Sequence, residues 1–173
     1  GISFASSAVT IAGGFLKDTT SDPVEYNGAV SIQVASWGIT ALGSFASING
    51  SPSLFIFGVL DAQLGGPPFF FVTGLGGGAG INRRLLPPDI TEVPDFFLVA
   101  AIDDSSFAND PMGALKKMAA SVPARRGSYW FAAGVRFDSF VLVHSIAVIY
   151  VALDKGFEIG VIDRPVVVEQ GLH

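Results

Sequence analysis

The residues best suited to binding a charged ligand lie in one stretch, GPPFFFVTGLGGGAGINRR, from Gly66 to Arg84. Within it, Gly74, Gly76 and Ala79 match the spacing of a dinucleotide-binding loop, in which a helix N-terminus holds the pyrophosphate. Only the residues GINRRLL follow before the Pro87–Pro88 pair, which leaves too little chain for that helix. The pattern therefore favours a glycine-rich strand that bends or lies under a bulky neighbour.

Asn82, Arg83 and Arg84 are the sharpest candidates for an anion-binding site or a partner contact. The two arginines directly follow the flexible glycines, in a region where Asp61 is the single charge between Tyr26 and Asn82. A guanidinium can hold a carboxylate or a phosphate through two parallel hydrogen bonds. Alternatively, the arginines could clamp the acidic loop that follows them, LLPPDITEVPD.

Arg136 and Asp138 form a second polar candidate. They are two positions apart in a strand-like segment, so their side chains share one face, where they could bind each other or reach neighbouring strands. His144 lies in the apolar run VLVHSIAV, where a lone histidine is more often structural than a base. Because no G-x-S-x-G motif selects a serine nucleophile, we predict no catalytic residue.

Metal and cofactor sites are not expected. The chain has no cysteine, and its two histidines, His144 and His173, lie far apart, which argues against a zinc site. Acidic residues around positions 103–110 have calcium-like density without the spacing of a calcium loop, and Asp110 is better placed as a helix cap. We therefore predict no metal and no cofactor.

The composition is that of an unusually apolar domain. Of 173 residues, 50% are hydrophobic and only 14% are charged, against about 25% charged in typical chains. The net charge of −5 argues against a nucleic-acid partner, and frequent Gly, Ser, Asn and Pro argue against a membrane-spanning helix. We expect one β-rich domain over residues 1–173. Because the chain begins with glycine and shows no signal-peptide pattern, we interpret it as an excised or processed part of a longer chain.

Strands must position most of these residues. Runs rich in β-branched and aromatic residues, bounded by Gly, Pro, Asp or Asn, predict about nine antiparallel strands. The runs are Ala29–Ile48 with a bulge or turn near Ser36, Leu54–Leu60, Pro68–Leu75, Phe96–Ile102, Ser128–Phe137, Ser139–Leu153, Phe157–Ile162 and Pro165–Gln170. One short helix is predicted near residues 110–120, with Asp110 as its cap, Pro111 at its start and Pro123 at its end. The fold class is mainly β, either a sandwich or a curved open sheet.

Two aromatic clusters predict an apolar surface. Phe69, Phe70 and Phe71 precede the glycines, and Trp130 and Phe131 lie in SYWFAAGV, which echoes the earlier segment PFFFVTGL. The later run SFVLVHSIAVIYVAL is apolar on both faces of a strand. Such a strand is either covered on both sides or has one face occupied by a partner.

Three segments carry a resemblance to a known family: GGPPFFFVTGLGGGAGINRRLLPPDITEVPDFFLVA, DPMGALKKM and GSYWFAAGVRFDSFVLV. They resemble the bacterial family called domain of unknown function 6603, which occurs in very large, strand-rich proteins. The resemblance covers roughly residues 53–162. It implies a module of a larger β-rich protein and supplies no catalytic residue.

We expect a non-enzymatic structural or interaction module that assembles through strand edges, with itself or with a larger parent protein. One alternative is the binding of an apolar ligand or lipid along a hydrophobic sheet. Another is an anion-binding or hydrolytic site around Asn82–Arg84. The expected partner is thus a protein or an apolar ligand, and neither a nucleic acid nor a membrane span is expected.

Overall fold

The computed structural model describes residues 2–5, 9–20, 22–34, 36–67, 69–103, 110–139 and 143–167. Within these residues, nine strands form one antiparallel sheet, in which each strand pairs with the next along the chain. The strands are β1 (Ile2–Ala5), β2 (Val9–Asp18), β3 (Glu25–Val34), β4 (Trp37–Ile48), β5 (Ser51–Gly65), β6 (Phe71–Arg83), β7 (Ala124–Ser139), β8 (Val143–Leu153) and β9 (Phe157–Val167). The prediction of a mainly β, antiparallel fold is confirmed, and the sheet is open, with β1 and β9 at its edges.

The connection between β6 and β7 contains the helices. A 3-10 helix (Ile90–Asp95) is followed by α1 (Phe97–Asp103) and α2 (Pro111–Ser121). The predicted helix near residues 110–120 is confirmed as α2, whose cap Asp110 accepts a hydrogen bond of 3.0 Å from the backbone N–H of Gly113.

The predicted strand at Phe96–Ile102 is wrong, because this run forms α1. Five of its residues are buried: Phe97, Leu98, Val99, Ala101 and Ile102. A short run that is apolar throughout has no period to distinguish a buried strand from a buried helix. The sheet also continues directly from β6 to β7, which leaves no place for a strand between them.

Most strand boundaries also differ from the predicted runs, and β1 and β2 correspond to none of them. The runs Phe157–Ile162 and Pro165–Gln170 were predicted separately, but β9 continues from Phe157 to Val167, and residues 168–170 lie outside the described residues. The irregularity predicted near Ser36 is the connection between β3 and β4, which pair with each other from Val34 and Trp37 onwards.

The sheet has two unlike faces. The inner face packs against α1 and α2 and forms the core with them. Buried core residues include Phe55, Phe57, Trp130, Ile146 and Val148 of the strands with Leu98, Ile102, Leu115 and Met118 of the helices. The opposite face, here called the outer face, is made of the alternate residues of the same strands.

The glycines of β6 allow the helices to approach the sheet closely. Gly74, Gly76, Gly78 and Gly80 alternate along the strand and all face inward, opposite inward residues of β5 and β7. A Cβ atom on Gly76 would lie 2.5 Å from Cγ1 of Ile102 in α1. The glycine stretch is therefore a strand that lies under bulky neighbours, and no helix begins directly after it, since residues 84–89 are not helical.

Substitution of two adjacent glycines tests this packing. We expect Gly76→Ala to lower the free energy of unfolding by about 1–3 kcal/mol, the usual cost of overpacking, because Ile102 occupies the space. Gly77→Ala is the matched control, since Gly77 faces outward and its Cβ atom would meet nothing closer than 3.4 Å. Urea unfolding measures both variants. Equal losses in the two variants would show that the inward glycines have no special role.

Candidate functional site: the outer face of the sheet

The outer face is formed by β2 to β9, whose register aligns the outward residues in four rows of eight that cross the strands. Row 1 is Lys17, Tyr26, Phe45, Leu54, Ile81, Tyr129, Leu153 and Phe157. Row 2 is Phe15, Gly28, Gly43, Ile56, Ala79, Phe131, Val151 and Ile159. Row 3 is Gly13, Val30, Ala41, Gly58, Gly77, Ala133, Ile149 and Val161. Row 4 is Ile11, Ile32, Ile39, Leu60, Leu75, Val135, Ala147 and Asp163.

The four rows form a continuous apolar surface. Apart from Lys17 and Asp163, which lie at opposite corners, every position is apolar or glycine, and none is buried. Phe15 is 72% exposed, Phe131 60% and Val161 68%. At a strand spacing of about 4.8 Å and a row spacing of about 6.8 Å, the surface measures about 34 by 20 Å, or roughly 700 Å². Soluble monomers rarely expose a contiguous apolar patch of that size.

The size of the side chains varies across this surface. The middle of row 3 contains only small residues, namely Ala41, Gly58, Gly77 and Ala133. The corresponding positions of rows 1 and 4 carry large aliphatic or aromatic side chains. A shallow furrow therefore follows row 3 from β4 to β7, with the large side chains of row 4 on one side and Ile56 and Phe131 of row 2 on the other.

One signal in the sequence indicates this surface. In β5, Phe55 and Phe57 are buried on the inner face, whereas Ile56 on the outer face is 58% exposed. In β8, Val148 is buried and Ile149 is 54% exposed. Strands that are apolar on both faces thus mark a sheet with a second apolar face. The aromatic clusters alone indicate only Phe131 of the four rows, because most of the other residues there are aliphatic or glycine.

The five aromatic candidates do not form one surface. Phe131 lies in row 2 of the outer face, but Trp130 is only 3% exposed and packs against Phe97 on the inner face. Neighbouring residues of a strand point to opposite faces. Phe69 is exposed in the connection between β5 and β6, where the ring of Phe70 packs on Phe137 at 4.5 Å between centroids, and Phe71 begins β6.

Arg83 is fully buried and lies at the centre of a polar network. Its Nη1 atom is 2.7 Å from Oε1 of Glu25 and donates to the backbone oxygen of Val122 at 3.3 Å. Its Nη2 atom donates to Oγ of Ser44, which in turn donates to Oε2 of Glu25. The network joins β3, β4 and β6 to the end of α2. Because the Arg83 side chain is 0% exposed, its guanidinium is not accessible to a solute.

Asn82 explains how Arg83 becomes buried. Its backbone is left-handed, with a φ of 52°, and the pairing of β6 with β7 is irregular between Ile81 and Arg83. Such a bulge re-aims the next side chain, which places Arg83 inside. The Asn82 side chain donates to the backbone oxygen of Pro52 at 2.6 Å and accepts from the N–H of Gly127 at 2.8 Å. Its carboxamide is thus used within the protein.

Arg84 is the accessible arginine of the pair. Its Nε atom is 3.5 Å from Asp154, which also lies 3.2 Å from Nε of Arg125 and accepts from Oγ of Ser128. These residues line a cavity of about 580 Å³ that also contains Lys155. The structure does not show the predicted clamp of the arginines to the acidic loop that follows them; Arg83 is paired with Glu25 and Arg84 with Asp154.

Arg136 and Asp138 share the inner face as predicted but do not bind each other. The guanidinium of Arg136 is 2.6 Å from Asp61 and donates to the backbone oxygens of Thr73 and Ile102. It lies over Gly74, where a Cβ atom would be 3.2 Å from Cζ. Arg136 therefore pairs with the single charge between Tyr26 and Asn82, and it fastens the end of α1 to the sheet.

Asp138 contacts His144 on the neighbouring strand. The Nδ1 atom of the imidazole is hydrogen-bonded to Asp138, and its Nε2 atom lies 3.6 Å from Asp103 at the end of α1. Asp103 also binds Arg164 of β9. Both imidazole nitrogens thus face carboxylates, an arrangement that supports a structural role. Within the acidic stretch at positions 103–110, residues 104–109 lie outside the described residues.

In the described part of the chain, no cluster of three or more His, Cys, Asp or Glu side chains could hold a metal ion. No helix among the described residues is long and apolar enough to cross a membrane.

The buried ion pair predicts unequal roles for two adjacent arginines. Arg83→Met leaves the carboxylate of Glu25 without its partner, and we expect a loss of about 3–5 kcal/mol in the free energy of unfolding. Arg84→Met is the matched control and should cost at most about 1 kcal/mol, as for an exposed pair. Adding Glu25→Gln to Arg83→Met should restore part of the loss. Urea unfolding checks all three, and equal losses for the two arginines would contradict the network.

Tyr150 predicts a loss of stability at high pH. Burial raises the pKa of its phenol from 10.0 to about 12, and the hydrogen bond to Glu158 and the charge of that residue add to the effect. The unfolded chain therefore releases this proton first, so the stabilisation is complete below pH 10.0 and is lost as the pH rises towards 12. Tyr150→Phe should remove this part of the pH dependence in unfolding experiments. An unchanged slope would exclude Tyr150 as its source.

A family model described as Family of unknown function (DUF6603) matches residues 1–167. No curated protein and no solved structure matches the chain. The match spans the sheet from β1 to β9 together with the helical connection, and it extends beyond the segments that carried the resemblance. The chain therefore belongs to the family of unknown function DUF6603.

Proposed function

We propose that this chain is a non-enzymatic interaction module, which acts by burying its outer face against another apolar surface. The observation that carries the proposal is the chemistry of the four rows. They contain only two charged residues, and none of their residues is buried. Removing apolar surface from water contributes roughly 25 cal/mol per Å² before the costs of association are subtracted. A surface of this size is costly to leave in water and is suited to a binding partner.

The polar candidates support a structural role for the charged groups. Arg83 is paired with Glu25 and Arg136 with Asp61, both within the protein. Arg83 also binds the backbone oxygen of Val122 after α2, and Arg136 binds that of Ile102 in α1, so both arginines attach the helical connection to the sheet. Because these charged groups are used within the protein, the described residues are better arranged for apolar contact through the outer face than for binding an anion.

The strand edges offer a second, smaller contact surface. The outer side of β9 has no neighbouring strand among the described residues. Asp163 and Arg164 are charged, and the proline at position 165 has no backbone N–H to donate. Charges and proline at an edge limit pairing with another strand. We therefore place the outer face before the edges as the binding surface.

An apolar ligand is the second candidate. The furrow along row 3 has the large side chains of row 4 on one side and Ile56 and Phe131 of row 2 on the other. A long acyl chain has the shape and chemistry to lie across such a surface. A lipid bound there would add several hundred daltons to the mass of the native protein, which separates this case from assembly.

Two phenylalanines of equal exposure test the role of the outer face. Phe131 in row 2 is 60% exposed, and Phe69 in the β5–β6 connection is 59% exposed. We expect native mass spectrometry of the unmodified chain to show either multiples of 18.0 kDa or a monomer with added mass. Phe131→Asp should reduce either species at least tenfold because a carboxylate would be buried, whereas Phe69→Asp should leave it unchanged.

A bare monomer of the unmodified chain at all concentrations would overturn the proposal. Equal effects of the two aspartate variants would also count against it, because they would show that exposure alone, and not position on the outer face, decides binding.

A further inference from the structure

We infer that the partner of the outer face is a second copy of this chain, packed face to face so that the two sheets form a sandwich. The inference rests on the proposed function and names its partner. It is carried by the layers of the fold, by the area of the face and by the distribution of charge.

The described fold has an incomplete set of layers. Its inner face is covered by α1 and α2, but the outer face is covered by no element among the described residues. Stable domains bury each apolar face of a sheet against another layer. A second sheet at about 10 Å is the usual cover for such a face, and a second copy supplies a sheet of the same width and length.

The area of the face suits a stable dimer. The four rows cover roughly 700 Å² in each copy, close to the value of about 800 Å² per partner found in standard interfaces. Large side chains lie near the centre, where Ile56 and Phe131 are 58% and 60% exposed. Large, central, desolvated residues contribute most to binding energy in interfaces.

The charge distribution permits two identical faces to meet. The chain has a net charge of −5, and because the four rows contain one Lys and one Asp, all of this net charge lies outside them. The acidic residues Glu25, Asp61 and Asp103 lie on the inner side, where each is paired with an arginine. The outer face carries one positive and one negative residue, Lys17 and Asp163, at opposite corners, so it has no net charge.

The absence of cysteine makes a cross-linking experiment direct. Single substitutions Ala133→Cys on the outer face and Ala120→Cys on the exposed side of α2 introduce one thiol each into a chain that has none. After treatment with a short bifunctional maleimide, we expect the Ala133→Cys variant to give a covalent dimer of twice 18.0 kDa. The Ala120→Cys variant is the control and should remain a monomer on a denaturing gel.

Sedimentation equilibrium of charge variants gives the second measurement. Ile56→Lys should weaken the dimer at least tenfold because its ammonium group would be buried in the contact. Leu86→Lys makes the same change in an exposed residue outside the four rows and should leave the dimer unchanged. If Ile56→Lys does not fold by circular dichroism, Ile159→Lys in row 2 of β9 replaces it.

The outcomes separate the inference from the proposed function. A monomer that carries a lipid mass, or a dimer that cross-links through Ala120→Cys and not through Ala133→Cys, would overturn the second copy as the partner of this face. The lipid-bearing monomer would still support apolar contact through the outer face. A bare monomer would overturn both proposals.

Discussion

The ion pair between Arg83 and Glu25 is the constraint on which the assembled parts depend. Its two residues are 58 positions apart in the chain, and the guanidinium also holds Ser44 and the backbone oxygen of Val122 after α2. A buried charge without its partner is strongly destabilising. The register of β3, β4 and β6 and the position of the helical connection must therefore be correct together. The left-handed backbone of Asn82 makes this possible by turning Arg83 towards the core.

The inward glycines of β6 and a second ion pair, between Arg136 and Asp61, together position α1 on the sheet. The glycines of β6 leave room for Ile102, while Arg136 binds the backbone oxygen of that residue and the carboxylate of Asp61. Apolar packing sets how close α1 lies to the sheet, and the hydrogen bonds set where its end lies. These polar contacts lie on the inner side of the sheet, whereas the four rows of the outer face carry only Lys17 and Asp163 as charged residues.

Much of the fold could be predicted from local patterns, because strands and caps leave local signals. Asp110 and Pro111 mark the start of α2, and alternation marks the strands. The helix α1 could not be predicted, since a run that is apolar throughout contains no period. The partners of Arg83 and Arg84 could not be predicted either, because ion pairs depend on which strands become neighbours. Likewise, the outer face became visible only when the register aligned Ile56, Phe131 and their neighbours in rows.

The nearest-neighbour order of the strands has a consequence for folding. Adjacent strands that are joined by short connections form contacts that are local in the chain, and such contacts close at low entropic cost. The pairing of β6 with β7 is the exception, because it must span the connection from Arg83 to Ala124. Along the chain, the sheet thus consists of two meanders with short connections, β1–β6 and β7–β9. The pairing of β6 with β7 closes the longest connection between neighbouring strands, and α1 and α2 lie within it. We therefore expect the helical layer to form together with the joining of the two meanders.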